Sequence, residues 1–289
     1  MAFSFGHRSR VAHQVREIAR DQIDKAQELS QAGDDFDKTV HELRRRCKKI
    51  RGLLRLIRPN FSDFDAENAC FAKAADSLSA SRDAAVMVET FNLVSRDLLP
   101  DNISETRGTL EDNVRRISAE QDRATLLSRF GDTMDEAAKR VKHWDLDGRG
   151  FALLAPGLHD TYGRMRKRIT AAEESGEDEA FHDWRKDTKS HWFHISLLAA
   201  CAPDVLGARR DQLDQLGEYL GDHHNLAILA EGVVTLTGSL DRPVAKAIDR
   251  HRADLAQKAL ALGRQLTVES PSALVSRVEK FWKLLPKDD

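Results

Sequence analysis

The chain has 289 residues, with 45 Lys and Arg against 47 Asp and Glu for a formal net charge of −2. Sixteen Gly and seven Pro leave too few punctuators for a many-turned β fold, and 41% hydrophobic residues is too much for a disordered chain. The longest apolar run, around Ile195–Ala202, is far short of a membrane span. Cys47, Cys70 and Cys201 form no CxxC pair, which argues against disulfide and zinc-finger frameworks. With no apolar core of signal-peptide length in MAFSFGHRSR, the composition fits a reducing, cytoplasmic setting without membrane contact.

Apolar residues recur at helical spacing nearly throughout. In chain order this predicts helices over 9–31, 36–58, 62–79, 81–98, 105–144, 152–174, 179–202, 207–220, 223–236, 243–266 and 272–285. Stops lie at Gly33-Asp34-Asp35, Arg58-Pro59-Asn60, Leu99-Pro100-Asp101, Gly148-Arg149-Gly150, Ser175-Gly176, Ala202-Pro203-Asp204 and Ser270-Pro271. Long helices with short links imply an all-α fold of antiparallel bundles.

Two stretches repeat. DKTVHELRRRCKKIRGLLRLIR at 37–58 aligns with DEAFHDWRKDTKSHWFHISLLA at 178–199, an offset of 141 that pairs His41 with His182, Arg44 with Arg185 and Lys48 with Lys189. LSASRDAAVMVE at 78–89 aligns with LGDHHNLAILAE at 220–231, pairing Arg82 with His224. The expectation is a duplicated chain, repeat one over 9–145 and repeat two over 151–285, each a four-helix bundle.

The neutral total conceals a strong local polarity. Residues 41–58 carry eight Lys or Arg and one acid, Glu42, for a local charge of +7. On a helical wheel His41, Arg44, Arg45, Lys48, Arg51 and Arg55 fall in an arc of roughly 120° with no acid among them. Gly52 sits within this stripe, where something must approach closely, and Arg46 and Lys49 point off it as ordinary surface charges. A solvated helix face would interleave acids at i,i+4, so the self-repelling stripe points to a bound anion. The second-half stripe is shorter: His182, Arg185, Lys186 and Lys189 share a face before Trp192 and Phe193, read as core, interrupt it. Asp37 and Asp178 are candidate caps, which would place both histidines near helix amino termini. Arg164, Lys167 and Arg168 form a further basic face on 152–174, and Asp187 with His191 is a candidate local pair.

No phosphate-binding loop, HExxH or GxSxG motif is present, and His191, His194, His223 and His224 lack the i,i+4 pairing of a metal site. No cofactor or catalytic residue is expected. Few aromatics accompany the stripe, which weighs against single-stranded nucleic acid.

The strings VHELRRRCKKIRGLLRLIRP and FHDWRKDTKSHWFHISLLAACAP, each followed by LSASRD or LGDHHN, resemble the CHAD family, the conserved histidine α-helical domain. The likeness runs from about residue 16 to about 285, as in a stand-alone member with one domain over 9–285. The second half departs from the family pattern at Trp184, Trp192 and Phe193. The resemblance implies two four-helix bundles with pseudo-twofold symmetry around a basic groove or pore. It further implies non-enzymatic binding of inorganic polyphosphate through the stripe residues, Arg82, Arg164, Lys167, Arg168 and His224, with association with polyphosphate granules. Two alternatives remain open: a helical scaffold docking an acidic protein or nucleic acid, and a metal-dependent phosphoanhydride enzyme.

Overall fold

The computed structural model describes residues 3–32, 35–96, 98–99 and 103–287, and the backbone alone of Ser81. The predicted stops at Gly33-Asp34 and Pro100-Asp101 lie outside the described residues. Eleven α-helices are described, and no strand occurs among the described residues. They are α1 (Val11–Ala32), α2 (Phe36–Ile57), α3 (Phe64–Asp76), α4 (Ala80–Val94), α5 (Ser104–Glu120), α6 (Arg123–Val141), α7 (Ala155–Ser175), α8 (Asp178–Leu198), α9 (Pro203–Thr237), α10 (Arg242–Leu266) and α11 (Pro271–Trp282). The all-α expectation is met.

Two boundaries differ from the sequence reading. The helix expected over 105–144 is two, α5 and α6. Gln121 is extended at the break, and the Asp122 carboxylate restarts the chain by accepting from the Thr125 N–H at 3.0 Å. Conversely, 207–220 and 223–236 are one helix, α9. Gly217 and Gly221, before and at the expected break, serve packing rather than a turn. A Cβ on Gly217 would lie 2.6 Å from Lys189 Cε, so the missing side chain makes room for a lysine arriving from α8.

The helices pack around two cores. The larger runs through both halves of the chain, from Val15 and Ile18 of α1 through Leu43, Ile50 and Leu54 of α2 to Trp184, Ile195, Leu213 and Leu274. The smaller joins Phe91, Val94, Ile103 and Leu110 to Leu226, Leu229, Val233, Val244 and Ile248. Both halves therefore contribute to each core. α1, α2, α3 and α6 pack together, as do α7, α8, α11 and the first part of α9, while α4 and α5 pack on the rest of α9, and α10 packs on α9 and α4.

The two basic helices, α2 and α8, cross in direct contact. At the crossing a Cβ on Gly52 would meet Phe193 Cβ at 2.5 Å. What approaches Gly52 closely is thus the partner helix, and these two positions are the ones an offset of 141 pairs. Phe193 is buried as expected, and Trp192 is partly buried against the same core.

Candidate functional site

The crossing of α2 and α8 leaves a crease with α4 and α9 alongside, and four cations converge on it. Lys48 lies in the middle. Its ammonium is near Arg44 one turn back on α2 and near Arg185 and Lys189 across on α8, with Asp83 of α4 as the acid close by. Lys48 is solvent-exposed at its residue surface and makes no hydrogen bond or ion pair among the described residues. Protein mass on both sides nevertheless crowds water away from the ammonium. That desolvation, followed by repulsion from Arg44, Arg185 and Lys189, pulls its pKa from 10.5 to about 8.

The other three cations are held by the scaffold. Arg44 donates to the Ala75 carbonyl at 2.9 Å and stands 4.0 Å from Asp83. Lys189 lies 3.2 Å from Asp214 and 5.4 Å from the centre of the Trp192 ring. Arg185 faces Asp222, whose carboxyl pKa is raised by burial and by Glu218. The Arg185 Nε is buried without a hydrogen-bond partner.

Farther along α2 the crease continues with Arg51, which donates to Asn68 at 3.1 Å, and Arg55. Burial, and then the neighbouring Arg51, lower the Arg55 pKa to about 10 against the attraction of Asp187. Asp187 is engaged by Arg164 at 3.1 Å and by Arg168 at 4.0 Å, while Arg168 also reaches Asp183 at 2.9 Å. The expected Asp187–His191 pair does not form, because His191 is fully buried against Tyr162 at 5.0 Å between ring centres.

At the opposite end the His182 and His224 rings lie 4.2 Å apart. Burial lowers the pKa of both; Lys186 and Arg185 add to it at His182, and His182 and Arg185 add to it at His224, taking His224 to about 4. His41, the offset partner of His182, has no such ring neighbour among the described residues and is exposed.

The remaining predicted residues lie outside the crease centre. Arg45 and Lys186 are half-exposed and paired with Glu42 at 3.1 Å and Asp183 at 2.5 Å. Glu42 thus flanks a stripe read as acid-free. Arg82 pairs with Glu89 at 3.2 Å. Lys167 points away, into a cleft of about 740 Å³ that it shares with Arg166 and Arg264. Arg46 and Lys49 are not ordinary surface charges. Arg46, 15% exposed, donates to Gln22 of α1 at 3.1 Å, and Lys49 lies 5.1 Å from the Phe3 ring centre. The caps also differ: Asp35, not Asp37, caps α2 through the Lys38 N–H, and Asp178 pairs with Arg252 instead of capping α8. Among the described residues no group of three or more His, Cys, Asp or Glu is placed to hold a metal ion.

The sequence reading passed over the acids and the amide that frame the site: Asp83, Asp222, Asp214 and Asn68. Two of them carried a signal. Asp83 and Asp222 stand inside the matched SASRD and LGDHHN segments, whose basic members alone were weighed.

Residues 15–233, well over half of the chain, match the CHAD domain. The chain belongs to the CHAD family. Among solved structures this CHAD protein is similar to PptA from Streptomyces chartreusis, with a TM-score of 0.61, 15% identity and coverage of 94% of this chain and 97% of that one. It is also similar to the CHAD domain from the plant Ricinus communis, with a TM-score of 0.57, 16% identity and coverage of 98% and 95%. At those identities the likeness is one of fold. No curated protein sequence matches the chain.

Proposed function

We propose that this CHAD protein binds linear inorganic polyphosphate along the crease between α2 and α8, without reacting with it. The observation that carries the reading is the convergence of Lys48, Arg44, Arg185 and Lys189 from both halves of the chain, with the central ammonium left unpaired. Folding such a group against its own repulsion costs stability, and a multivalent anion recovers it. From Arg44 to Arg55 the cations span about 16 Å of helix, room for several consecutive phosphates. Guanidinium and ammonium groups suit phosphate oxygens and supply no means of reading bases. The offset-paired contact of Gly52 and Phe193 supports a duplicated origin for the two halves. No helix among the described residues is long and apolar enough to cross a membrane. We place the protein in the cytoplasm, on polyphosphate granules.

Calorimetric titration with long polyphosphate, triphosphate, orthophosphate and RNA of matched charge tests the reading. Affinity is expected to rise with chain length and to fall steeply between about 50 and about 300 mM salt, with orthophosphate barely competing. Equal affinity for triphosphate and long chains, or tighter binding of RNA, would replace it.

A further inference from the structure

The anion-binding reading explains why cations gather at Lys48 but gives no use to the state of its amine. Three features coincide there. The side chain is open to solvent, it has no acid bonded to it among the described residues, and two guanidiniums and a second ammonium stand around it. An uncharged amine in such a ring is a nucleophile inside an anion cradle. We propose that Lys48 is an acylation site, at which an acyl phosphate, a mixed carboxylic–phosphoric anhydride, transfers its acyl group to the side-chain nitrogen.

The donor's phosphate is held by Arg44, Arg185 and Lys189, which brings the adjoining carbonyl carbon to Nζ. The nitrogen lone pair forms the C–N bond and the C–O bond to phosphorus-bound oxygen breaks. Inorganic phosphate leaves with the electron pair, and the nitrogen gives up its proton to water. No oxidant, reductant or metal is required. The lowered pKa favours this step, because near pH 8 more of Lys48 is free base than of an ordinary lysine. A less basic amine is also a weaker nucleophile, which offsets much of that gain, so the selectivity for Lys48 comes from the phosphate held beside it. The product amide is neutral, so acylation removes the central charge from the crease. This last consequence rests on the polyphosphate reading; the reactivity rests on the cluster alone.

The test follows acetylation of the intact chain near pH 8 by peptide mass spectrometry. Lys48 is compared with the exposed Lys142 and Lys246, using acetyl phosphate in one series and the neutral donor p-nitrophenyl acetate in the other. Lys48 is expected to react at least about tenfold faster than Lys142 with acetyl phosphate, by a smaller ratio with the ester, and to be protected by saturating long polyphosphate. Lys48 reacting no faster than Lys142 with acetyl phosphate overturns the acylation site, whether or not polyphosphate binds. Equal ratios with the two donors overturn it as well, since the cradle then plays no part. Fast acylation of Lys48 by acetyl phosphate that saturating polyphosphate fails to slow supports the site and overturns the polyphosphate reading instead.

Discussion

Lys48→Met separates the stability of the crease from its function, because the two should move in opposite directions. Methionine keeps most of the aliphatic stem and removes the charge, so little packing is lost. In the folded protein the ammonium is disfavoured by desolvation and by Arg44, Arg185 and Lys189, which lowers its pKa from 10.5 to about 8. Taken as fully desolvated, that difference amounts to about 3 kcal/mol against the folded state below pH 8. Lys48 is exposed at its surface, so solvent screening reduces the figure to about 1 kcal/mol. The sign follows from proton counting. Between pH 8 and 10.5 the unfolded chain holds the proton that the folded one has released, so wild-type stability rises with pH through that window. Lys48→Met should therefore exceed wild type by about 1 kcal/mol at pH 7, or about 2 °C in Tm, with the gap closing between about pH 8 and about pH 10.5. Added salt should narrow it. Saturating polyphosphate should reverse the order, because wild type regains more from the ligand. Urea melts at matched ionic strength across this pH range measure all of it. A variant less stable than wild type at pH 7, or a gap that persists undiminished to about pH 10.5, would refute the electrostatic account.

Other perturbations probe the scaffold and the rest of the cluster. Arg44→Ala, Arg185→Ala and Lys189→Ala should each weaken polyphosphate binding by about 1–2 kcal/mol in a competition assay, whereas Arg45→Ala and Lys186→Ala, exposed and ion-paired, should cost under about 0.5 kcal/mol. Gly157→Ala drives a Cβ into the backbone of Arg55 and Leu56, where α7 starts against the end of α2. It should lower unfolding free energy by about 3 kcal/mol, read from urea denaturation. His194 is fully buried with only a loose contact to the Gly52 backbone, and burial, then Arg55 and Arg164, push its pKa to about 3. Its folded pKa lies below the unfolded value of 6.5, so stability is lost as pH falls from 6.5 toward 3, by up to about 1.4 kcal/mol per pH unit; His194→Leu should flatten that acid limb of the melting curve.

Helix existence was legible because the apolar period is visible wherever one helix face meets a core. Helix continuity was not. The break between α5 and α6 carries no glycine or proline, only Asp122 reaching the Thr125 N–H, and a polar residue amid polar neighbours does not stand out. The reverse error came from Gly221-Asp222, which has the composition of a turn. Its helical state depends on what lies outside the helix: Arg185 packs at 3.6 Å from where a Gly221 Cβ would stand, and Lys189 covers Gly217. Local punctuation cannot distinguish a glycine that bends the chain from one that admits a neighbour's side chain.

The site shows the same division between azimuth and environment. A wheel gives the direction of Arg44, Lys48, Arg51 and Arg55 but nothing of what they face, so Asn68 beside Arg51 and Gln22 beside Arg46 were invisible. It also undervalued the second half, whose stripe stops at Trp192. The crossing geometry explains why a short stripe suffices. Gly52 and Phe193 touch, and they are offset partners; so residues one and two turns before them on each helix flank the same point. Lys48 and Lys189 are one such pair, Arg44 and Arg185 the other, and Lys48 accordingly lies near all three of the rest. At the crossing and past it the matching fails, since the partners of Arg51 and Arg55 are Trp192 and Ser196. There α8 presents Asp187, already engaged by Arg164, in place of further cations. Positive charge is therefore densest and least compensated before the crossing, and an anion entering the crease should seat its first phosphate between Lys48 and Arg185.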